Sequence, residues 1–350
     1  MASELEQYDY DLPRELIAQW PVSQRSDSRL LVIDRDSQRI DHRHFRDLHE
    51  VLTAGDCLVL NDTKVIPARL VGRRNATGGR WQGLFMSADE AGTWKILCKT
   101  RGKLASGDPI TLIDHDGRGA LQLTMLTQLD GGAWAVRPES DDPPLDLLAR
   151  IGRVPLPPYI RGAEMVDSDL ENYQTVYADQ PGSIAAPTAG LHFTEPSLER
   201  VAKAGIDQCR VTLHVGHDTF RPLSCERLDD HPMHSEWGTV SAAVATKLPQ
   251  CRAAGGRIVA VGTTTTRLLE TAASETGKTE PWEGRTDLFI RPPYTFRAID
   301  ALLTNFHLPR TTLLVLVRTF GGDKLMRRAY EEAIDEQYRF YSYGDAMLIL

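Results

Sequence analysis

The chain has 350 residues, 41% of them hydrophobic and 25% charged, so it can bury a core at a length where cores begin to divide into domains. Its formal net charge of −8 argues against a protein that coats nucleic acid non-specifically, because lysine and arginine supply most of that affinity. No apolar run approaches the roughly 20 residues that cross a bilayer, and the N-terminus lacks a basic-then-apolar signal, so we expect a cytoplasmic protein without a membrane partner.

Residues 1–60 have the texture of an α/β domain. Asp11 is placed to cap a short helix over residues 12–20, which Pro21 would end. The apolar runs RLLVID and CLVLN predict buried strands at Arg29–Asp34 and Cys57–Asn61.

From about residue 65 to residue 150 the pattern changes to short β-rich runs between Gly- and Asp-rich turns. The runs are ARLVG, WQGLFM, WKILCK, PITLID, ALQLTML and AWAVRP. Regularly spaced strands without a clear helix predict a small β-barrel. Arginines and lysines crowd the first part of this segment, and a second cluster lies near the C-terminus, which makes an anionic partner plausible.

Alternating strands and helices return in the second half. Thr194 is placed to cap a helix that runs to Gly205, RIVAVG predicts a strand that enters the helix TTTTRLLETAA, and Asp323 is placed to cap the last long helix. The run LLVLV at residues 313–317 predicts a buried strand. The fold class is therefore α/β: a discontinuous α/β/α-type main domain of residues 1–64 and 151–350, with a β-barrel of residues 65–150 inserted.

Several familiar chemistries have no motif here. No G-x-G-x-x-G follows a strand, no G-x-S-x-G is present, and the GKT at residues 277–279 lacks the first glycine of a phosphate loop. Five widely spaced cysteines with no C-x-x-C pair argue against a zinc ribbon and fit a reduced compartment.

Unusual polar residues concentrate in a few stretches outside the predicted barrel. GSIAAPTAGLHF (residues 182–193) has small residues that let backbone approach a ligand, and the alternation in RVTLHVG turns His214 away from the apolar side. DDHPMHSEW holds His231, His234 and Glu236, but Pro232 disrupts metal-ligand spacing, so acid–base or hydrogen-bonding roles are favoured over a metal.

The remaining stretches supply an anion site and aromatic surfaces. VGTTTTR ends a strand and opens a helix, so that free N–H groups, threonine hydroxyls and Arg267 can meet a carboxylate or a phosphate. Asn305 and His307 lie in a predicted loop, and YRFYSYGDAM brings tyrosines, an arginine and a carboxylate together at a chain end that such density predicts to be docked. Each stretch is also compatible with ordinary structure.

Taken together these motifs resemble the S-adenosylmethionine:tRNA ribosyltransferase-isomerase family of queuosine biosynthesis. The resemblance runs nearly the full length, from YDYDLPRELIAQWP and VLNDTKVIPARL through GSIAAPTAGLHF and MHSEW to TNFHLPRTTLLVLV and YRFYSYGDAMLI. It implies the two-domain fold above and two substrates: S-adenosylmethionine, and tRNA that carries 7-aminomethyl-7-deazaguanine at the wobble position. It implies epoxyqueuosine as product, with adenine and methionine released, and no cofactor beyond S-adenosylmethionine.

Such a reaction needs a base near the sulfonium-acidified ribose carbon and a donor for departing adenine. The candidate catalytic residues are His192, His214, His231, His234, Glu236 and His307. The candidate substrate-binding residues are Thr188, Thr263, Thr264, Arg267, Asn305, Arg339, Tyr341, Tyr343 and Asp345. Thr263, Thr264 and Arg267 are assigned to the methionyl carboxylate or a tRNA phosphate.

The chain departs from the family pattern at a few positions. His217-Asp218 stands where members commonly have a small pair, Pro292-Pro293-Tyr294 stands for a PGY pattern, and GTTTTRLLE stands for GTTSVRTLE. The alternatives are therefore a tRNA-binding member with an altered base substrate or lost turnover, which His217-Asp218 would favour, and a conventional methyltransferase.

Overall fold

The computed structural model describes residues 4–216 and 227–350, which form two compact units. The first unit contains the residues up to 64, 157–162 and those from 171 onward, and the second contains 65–156 and 163–170. His217 and Asp218 lie outside the described residues. Among the described residues, no helix is both long and apolar enough to cross a membrane.

Seventeen strands are described. They are β1 (Arg29–Asp34), β2 (Arg39–His44), β3 (Cys57–Asn61), β4 (Thr63–Val65), β5 (Arg69–Arg74), β6 (Arg80–Ala88), β7 (Trp94–Thr100), β8 (Pro109–Ile113), β9 (Gly119–Gln128), β10 (Ala133–Pro138), β11 (Gln180–Ser183), β12 (Asp207–Leu213), β13 (Glu236–Val240), β14 (Ile258–Val261), β15 (Trp282–Thr286), β16 (Ala301–Asn305) and β17 (Ala346–Ile349).

Eight α-helices are described alongside several short 3-10 turns. They are α1 (Leu48–Val51), α2 (Pro144–Ile151), α3 (Asp169–Asn172), α4 (Glu195–Lys203), α5 (Ala242–Ala253), α6 (Thr263–Thr271), α7 (Thr312–Gly321) and α8 (Asp323–Asp335).

The first unit is built on a nine-stranded sheet in the order β15-β13-β12-β3-β14-β16-β17-β1-β2. The central pairs β12–β3, β3–β14 and β14–β16 are parallel. At one end β13 and β15 add antiparallel pairs, and at the other end β17 pairs antiparallel with β16 and parallel with β1, which pairs antiparallel with β2. Residues of β3 alternate between two apolar cores, Cys57 and Val59 on one face and Leu58 and Leu60 on the other. Because both faces are covered, the central strands are continuous apolar runs, as the sequence predicted.

The second unit is a closed six-stranded barrel with the order β10-β7-β6-β5-β8-β9. Alternate residues of β6, namely Trp81, Gly83 and Phe85, are buried, while residues between them are more exposed. Closure leaves the strands without free edges. The predicted α/β class with a small barrel is confirmed, and each predicted β-rich run falls on one of the six barrel strands.

Side-chain caps start three of the described α-helices: Thr194 for α4, Ser241 for α5 and Thr311 for α7. The Thr194 side chain accepts a hydrogen bond from Ser197 N at 3.2 Å and starts α4, and β14 leads through Gly262 into α6, both as predicted. Asp323 is the first residue of α8 instead of its cap, which is Gly322 at φ 83°.

Two predicted elements were wrong. Residues 313–317 belong to α7, an apolar helix buried nearly all round whose cap is Thr311, because five consecutive apolar residues suit a buried helix as well as a strand. In the first segment only Arg14–Leu16 is helical, as a single 3-10 turn, and Ile17 is extended in a bridge to Phe340. That distant pairing outweighs the local helical pattern.

Candidate active site

A cleft opens at the carboxyl ends of β14 and β16 in the first unit. The cavity is small, about 20 Å³, and part of it is open to solvent. The lining residues are Ala186, Pro187, Thr188, Ala189, Val215, Gly262, Thr263, Thr264, Thr304, Asn305, His307 and Leu313. Parallel neighbours end at the same sheet edge, which is where ligands bind in α/β sheets. Four of the polar stretches singled out in the sequence therefore meet here.

The amino end of α6 faces this cleft. Gly262 has φ 93° and precedes Thr263 and Thr264, both of which line the cleft and are nearly buried. First-turn N–H groups have no acceptor within their own helix, and they carry its positive dipole end. The geometry suits an anion such as a carboxylate.

His192 is buried behind the cleft in a complete hydrogen-bond network. Asn305 Nδ2 donates to His192 Nε2 at 3.1 Å, and His192 Nδ1 lies 2.8 Å from Ser28 Oγ, which itself donates to the Arg25 carbonyl. Burial, assisted by the nearby Arg25 charge, lowers the pKa of His192 to about 3. A neutral ring with its proton on Nδ1 satisfies every contact, so His192 orients Asn305 and is poorly placed to take a proton.

Asn305 is the last residue of β16, not a loop residue as predicted. Its Nδ2 also donates to the Tyr341 carbonyl at 3.2 Å, which fixes the amide orientation. Its Oδ1 is buried and has no partner among the described residues. Asn305 thus presents a spare acceptor in a residue that lines the cleft.

His307 lines the same cleft and is also neutral. Its Nε2 lies 3.0 Å from Thr304 Oγ1, its backbone N–H donates to the Tyr330 hydroxyl, and its carbonyl accepts from Tyr10. Burial lowers the pKa of His307 to about 3. This histidine can hydrogen-bond a ligand, but it cannot hold a charge at neutral pH.

His214 does not itself line the cleft, although its neighbour Val215 does, and it is the histidine best suited to accept a proton. Its Nδ1 lies 2.7 Å from Thr63 Oγ1, and its ring stacks on Trp237 with centroids 5.1 Å apart. Burial lowers its pKa, so the ring is neutral at physiological pH, yet it is only half-buried. When Nδ1 carries the proton, Nε2 can accept another; among the described residues it has no hydrogen-bond partner, and it lies beside Gly182, where an added Cβ would be 2.7 Å from it.

Glu236 and Arg267 form a buried ion pair, with Arg267 Nη1 2.5 Å from Glu236 Oε2. The other carboxylate oxygen accepts from Gly216 N at 2.9 Å, and Arg267 Nε donates to the Leu288 carbonyl. Both side chains are occupied by protein groups. The pair therefore positions backbone next to the cleft, and this arrangement favours a supporting role over direct capture of a substrate anion by Arg267.

His231 and His234 lie in the loop before β13 and do not join the cleft. His231 contacts the Phe289 ring edge-on, burial lowers its pKa, and His234 is exposed. Within residues 4–216 and 227–350, no group of three or more His, Cys, Asp or Glu is placed to hold a metal ion.

The C-terminal segment is docked, as its density of functional groups predicted. Asp345 accepts from the backbone N–H groups of Arg29 and Arg339, both at 2.8 Å, and burial raises the pKa of its carboxyl group. Tyr341 and Tyr343 are buried and contact Tyr159 and Tyr173. The Arg339 guanidinium donates to the Trp20 carbonyl. These residues shape the protein behind Asn305, and none of them lines the cleft.

Four residues that sequence reasoning missed hold the site together. Asn61 bonds both backbone groups of Leu213, Asp62 accepts from Thr212, Thr63 meets His214, and Ser28 meets His192. Three of the four fall in the motif VLNDTKVIPARL. This motif contributed to the family resemblance, but none of its residues was among the candidate site residues. Small residues in GSIAAPTAG also serve protein contacts: a Cβ at Gly190 would lie 2.1 Å from the Tyr177 hydroxyl.

Comparison with known proteins places this geometry in a family. A family model described as "Queuosine biosynthesis protein" matches residues 5–349. The S-adenosylmethionine:tRNA ribosyltransferase-isomerase of Symbiobacterium thermophilum is 49% identical over 99% of both chains, and that of Staphylococcus saprophyticus is 45% identical over 99% of this chain and all of its own.

The chain belongs to this family. The predicted resemblance is thereby confirmed. The crystal structure of S-adenosylmethionine tRNA ribosyltransferase from Thermotoga maritima is also similar, with a TM-score of 0.56 and 38% identity, over 98% of this chain and 100% of that one.

Proposed function

We propose that this protein transfers the ribosyl group of S-adenosylmethionine to 7-aminomethyl-7-deazaguanine at the wobble position of tRNA and isomerises it there. The products are epoxyqueuosine-tRNA, adenine and methionine. The observation that carries this conclusion is the full-length match to relatives named S-adenosylmethionine:tRNA ribosyltransferase-isomerase. That name denotes an enzyme, so this chain is an enzyme of the same class. A tRNA substrate also supports a cytoplasmic location.

Within the cleft we assign the amino acid end of S-adenosylmethionine to the start of α6. The first-turn N–H groups and the hydroxyls of Thr263 and Thr264 suit its carboxylate, and the free Oδ1 of Asn305 suits its ammonium. Thr188 also lines the cleft. Arg267, Arg339, Tyr341, Tyr343 and Asp345 support these groups from behind.

For proton transfer we assign His214 as the base that removes the hydrogen from the ribose carbon next to the sulfonium. Its neutral ring, its Nδ1 contact with Thr63 and an Nε2 without a partner among the described residues support this role. His307 is assigned a hydrogen bond to departing adenine, and Glu236 holds Gly216 in place. His192 orients Asn305, and His231 and His234 remain candidates only for contacts with tRNA.

One product assay tests the reaction. The protein is incubated with S-adenosylmethionine and tRNA that carries 7-aminomethyl-7-deazaguanine, and the small molecules are separated chromatographically. We expect adenine and methionine in equal amounts. S-adenosylhomocysteine would identify a methyltransferase instead, and tRNA binding without any release would identify a member that has lost turnover.

A matched pair of variants tests the assigned base. His214→Ala should lower turnover by about 100-fold or more, the usual contribution of a positioned acid or base, whereas His234→Ala should leave turnover within about threefold. Equal turnover in the wild type and His214→Ala would refute the assignment of His214 while leaving the reaction itself untouched.

A further inference from the structure

The barrel wall is divided into a basic half and an acidic half. Residues 65–107 contain eight lysines and arginines and two acidic residues. Residues 108–156 contain four arginines and eight acidic residues. The closing order places β5, β6 and β7 side by side, with β8, β9 and β10 completing the circle. The division in sequence is therefore a division in space, in a chain whose net charge is −8.

Three arginines of the basic half stand in one row across its strands. Arg73 pairs with Arg80 between β5 and β6, and Trp81 pairs with Thr100 between β6 and β7. Arg101 follows Thr100 directly after the end of β7, and the Thr100 hydroxyl donates to the Arg80 carbonyl at 2.9 Å, which brings Arg101 next to Arg80. Strands lie about 4.8 Å apart, so the row spans about 10 Å.

Arg73 and Arg80 point outward, because the residues that alternate with them in β5 and β6 are buried, and Arg101 is exposed as well. Leu70 and Gly72 in β5 and Trp81 in β6 are buried, whereas Arg73, Arg80 and Arg101 are exposed. Lys99 and Lys103 extend the same exposed surface. We call these five residues, Arg73, Arg80, Lys99, Arg101 and Lys103, the basic face.

The basic face lacks compensating acids. Within the described part of the chain, none of its five side chains forms a salt bridge, whereas Arg118 and Arg150 of the acidic half pair with Asp116 and Asp142. Like charges directly opposite each other in a sheet are destabilising. Arg73 and Arg80 stand directly opposite each other with Arg101 beside them, and this arrangement is therefore a cost to the barrel that an external anion would relieve.

We propose that the basic face binds the phosphate backbone of the tRNA substrate; this inference rests on the proposed function. Guanidinium groups bind phosphate oxygens in bidentate geometry, and several of them in a row match a polyanion better than a single small ion. Binding through the basic face is electrostatic and releases counterions, so it weakens steeply as salt rises.

The test compares two triple variants of the full-length protein. The first, Arg73→Ala with Arg80→Ala and Arg101→Ala, removes the row. The second, Arg118→Ala with Arg137→Ala and Arg150→Ala, removes the same charge from the acidic half. We expect the first to weaken tRNA binding at least about tenfold at 100 mM salt, and the second to change it by less than about threefold.

The salt dependence gives an independent readout. Each lost phosphate contact makes the negative slope of log affinity against log salt less steep by about 0.7 to 0.9, so the loss of three contacts should reduce its steepness by about two to three. The triple lysine variant at the same three positions keeps the charge and should keep the slope, which separates charge from folding. An unchanged slope in the first variant, or equal losses in both alanine variants, would overturn the proposal.

Two further outcomes are decisive. Loss of binding to anionic lipid vesicles without loss of tRNA binding would assign the basic face to a membrane surface and refute the proposal. In turnover assays the first variant should raise the KM for tRNA and leave both the KM for S-adenosylmethionine and kcat unchanged. The binding assays need no turnover. A protein that binds tRNA through the basic face but releases no adenine would therefore refute the proposed reaction and leave the proposed role of the basic face intact.

Discussion

The buried ion pair of Glu236 and Arg267 connects the start of β13 to α6 and holds the Gly216 backbone next to the cleft. Removing one partner of a buried pair leaves an uncompensated charge. Glu236→Ala should lower the free energy of unfolding by about 3–5 kcal/mol, and the double variant with Arg267→Ala should cost clearly less than the sum of the two single changes.

Urea denaturation measures this effect, with Arg150→Ala as the control. The Arg150–Asp142 pair is exposed, so its loss should cost no more than about 1 kcal/mol. If the Glu236→Ala protein is as stable as the Arg150→Ala protein, the buried pair does not contribute the predicted amount of about 3–5 kcal/mol to the free energy of unfolding.

The buried neutral histidines make stability depend on pH. Burial lowers the folded-state pKa of His192 and His307 to about 3, below the usual value of about 6.5. Between about pH 3 and pH 6.5 these histidines bind protons in the unfolded chain but stay neutral in the folded chain. The free energy of unfolding is therefore highest above about pH 6.5 and falls as the pH drops toward 3. Each histidine contributes up to about 1.4 kcal/mol per pH unit in that window.

His307→Asn tests this dependence through urea midpoints at pH 7.5 and pH 5.5. The loss of stability between the two pH values should be smaller in His307→Asn than in the wild type. The control is His115→Gln, at an exposed histidine, which should lose as much stability as the wild type. The same loss in all three proteins would contradict the prediction.

At the scale of elements, the turn between β14 and α6 determines what the cleft can bind. Gly262 has φ 93° and ψ 154°, a conformation that is essentially restricted to glycine. Gly262→Ala should shift the first turn of α6 and weaken S-adenosylmethionine binding by about tenfold or more, as measured by calorimetric titration. That corresponds to about 1.4 kcal/mol.

The control for this change is Gly255→Ala after α5. Gly255 also has positive φ, at 85°, and an added Cβ there would have no atom within 4 Å. The control also places an alanine at positive φ, and it should leave S-adenosylmethionine affinity unchanged. If both variants bind S-adenosylmethionine with equal affinity, the turn before α6 is not part of the binding site.

At the scale of the whole molecule, we propose that the two compact units correspond to folding domains, with the barrel near residues 65–150. Ile96 is fully buried in the barrel and Leu303 in the large sheet, so truncating either to alanine should cost about 2–5 kcal/mol. Calorimetry should show two transitions, of which Ile96→Ala lowers one and Leu303→Ala lowers the other. A single transition that shifts equally in both variants would refute separate folding.

Residue pattern and motif were sufficient for much of this protein. Period-two alternation and turn residues located the barrel strands, a capping threonine located α4, and long motifs identified the family. These features are local, because alternation and capping depend on neighbouring residues alone.

Only the tertiary structure decided which polar residues meet and which are already occupied. Composition could not tell that residues 313–317 form a buried helix, that Arg267 is neutralised by Glu236, or that Asn61, Thr63 and Ser28 support the histidines. Such contacts join residues far apart in the chain, and the energy of burying a polar group depends on the partner that the fold brings to it.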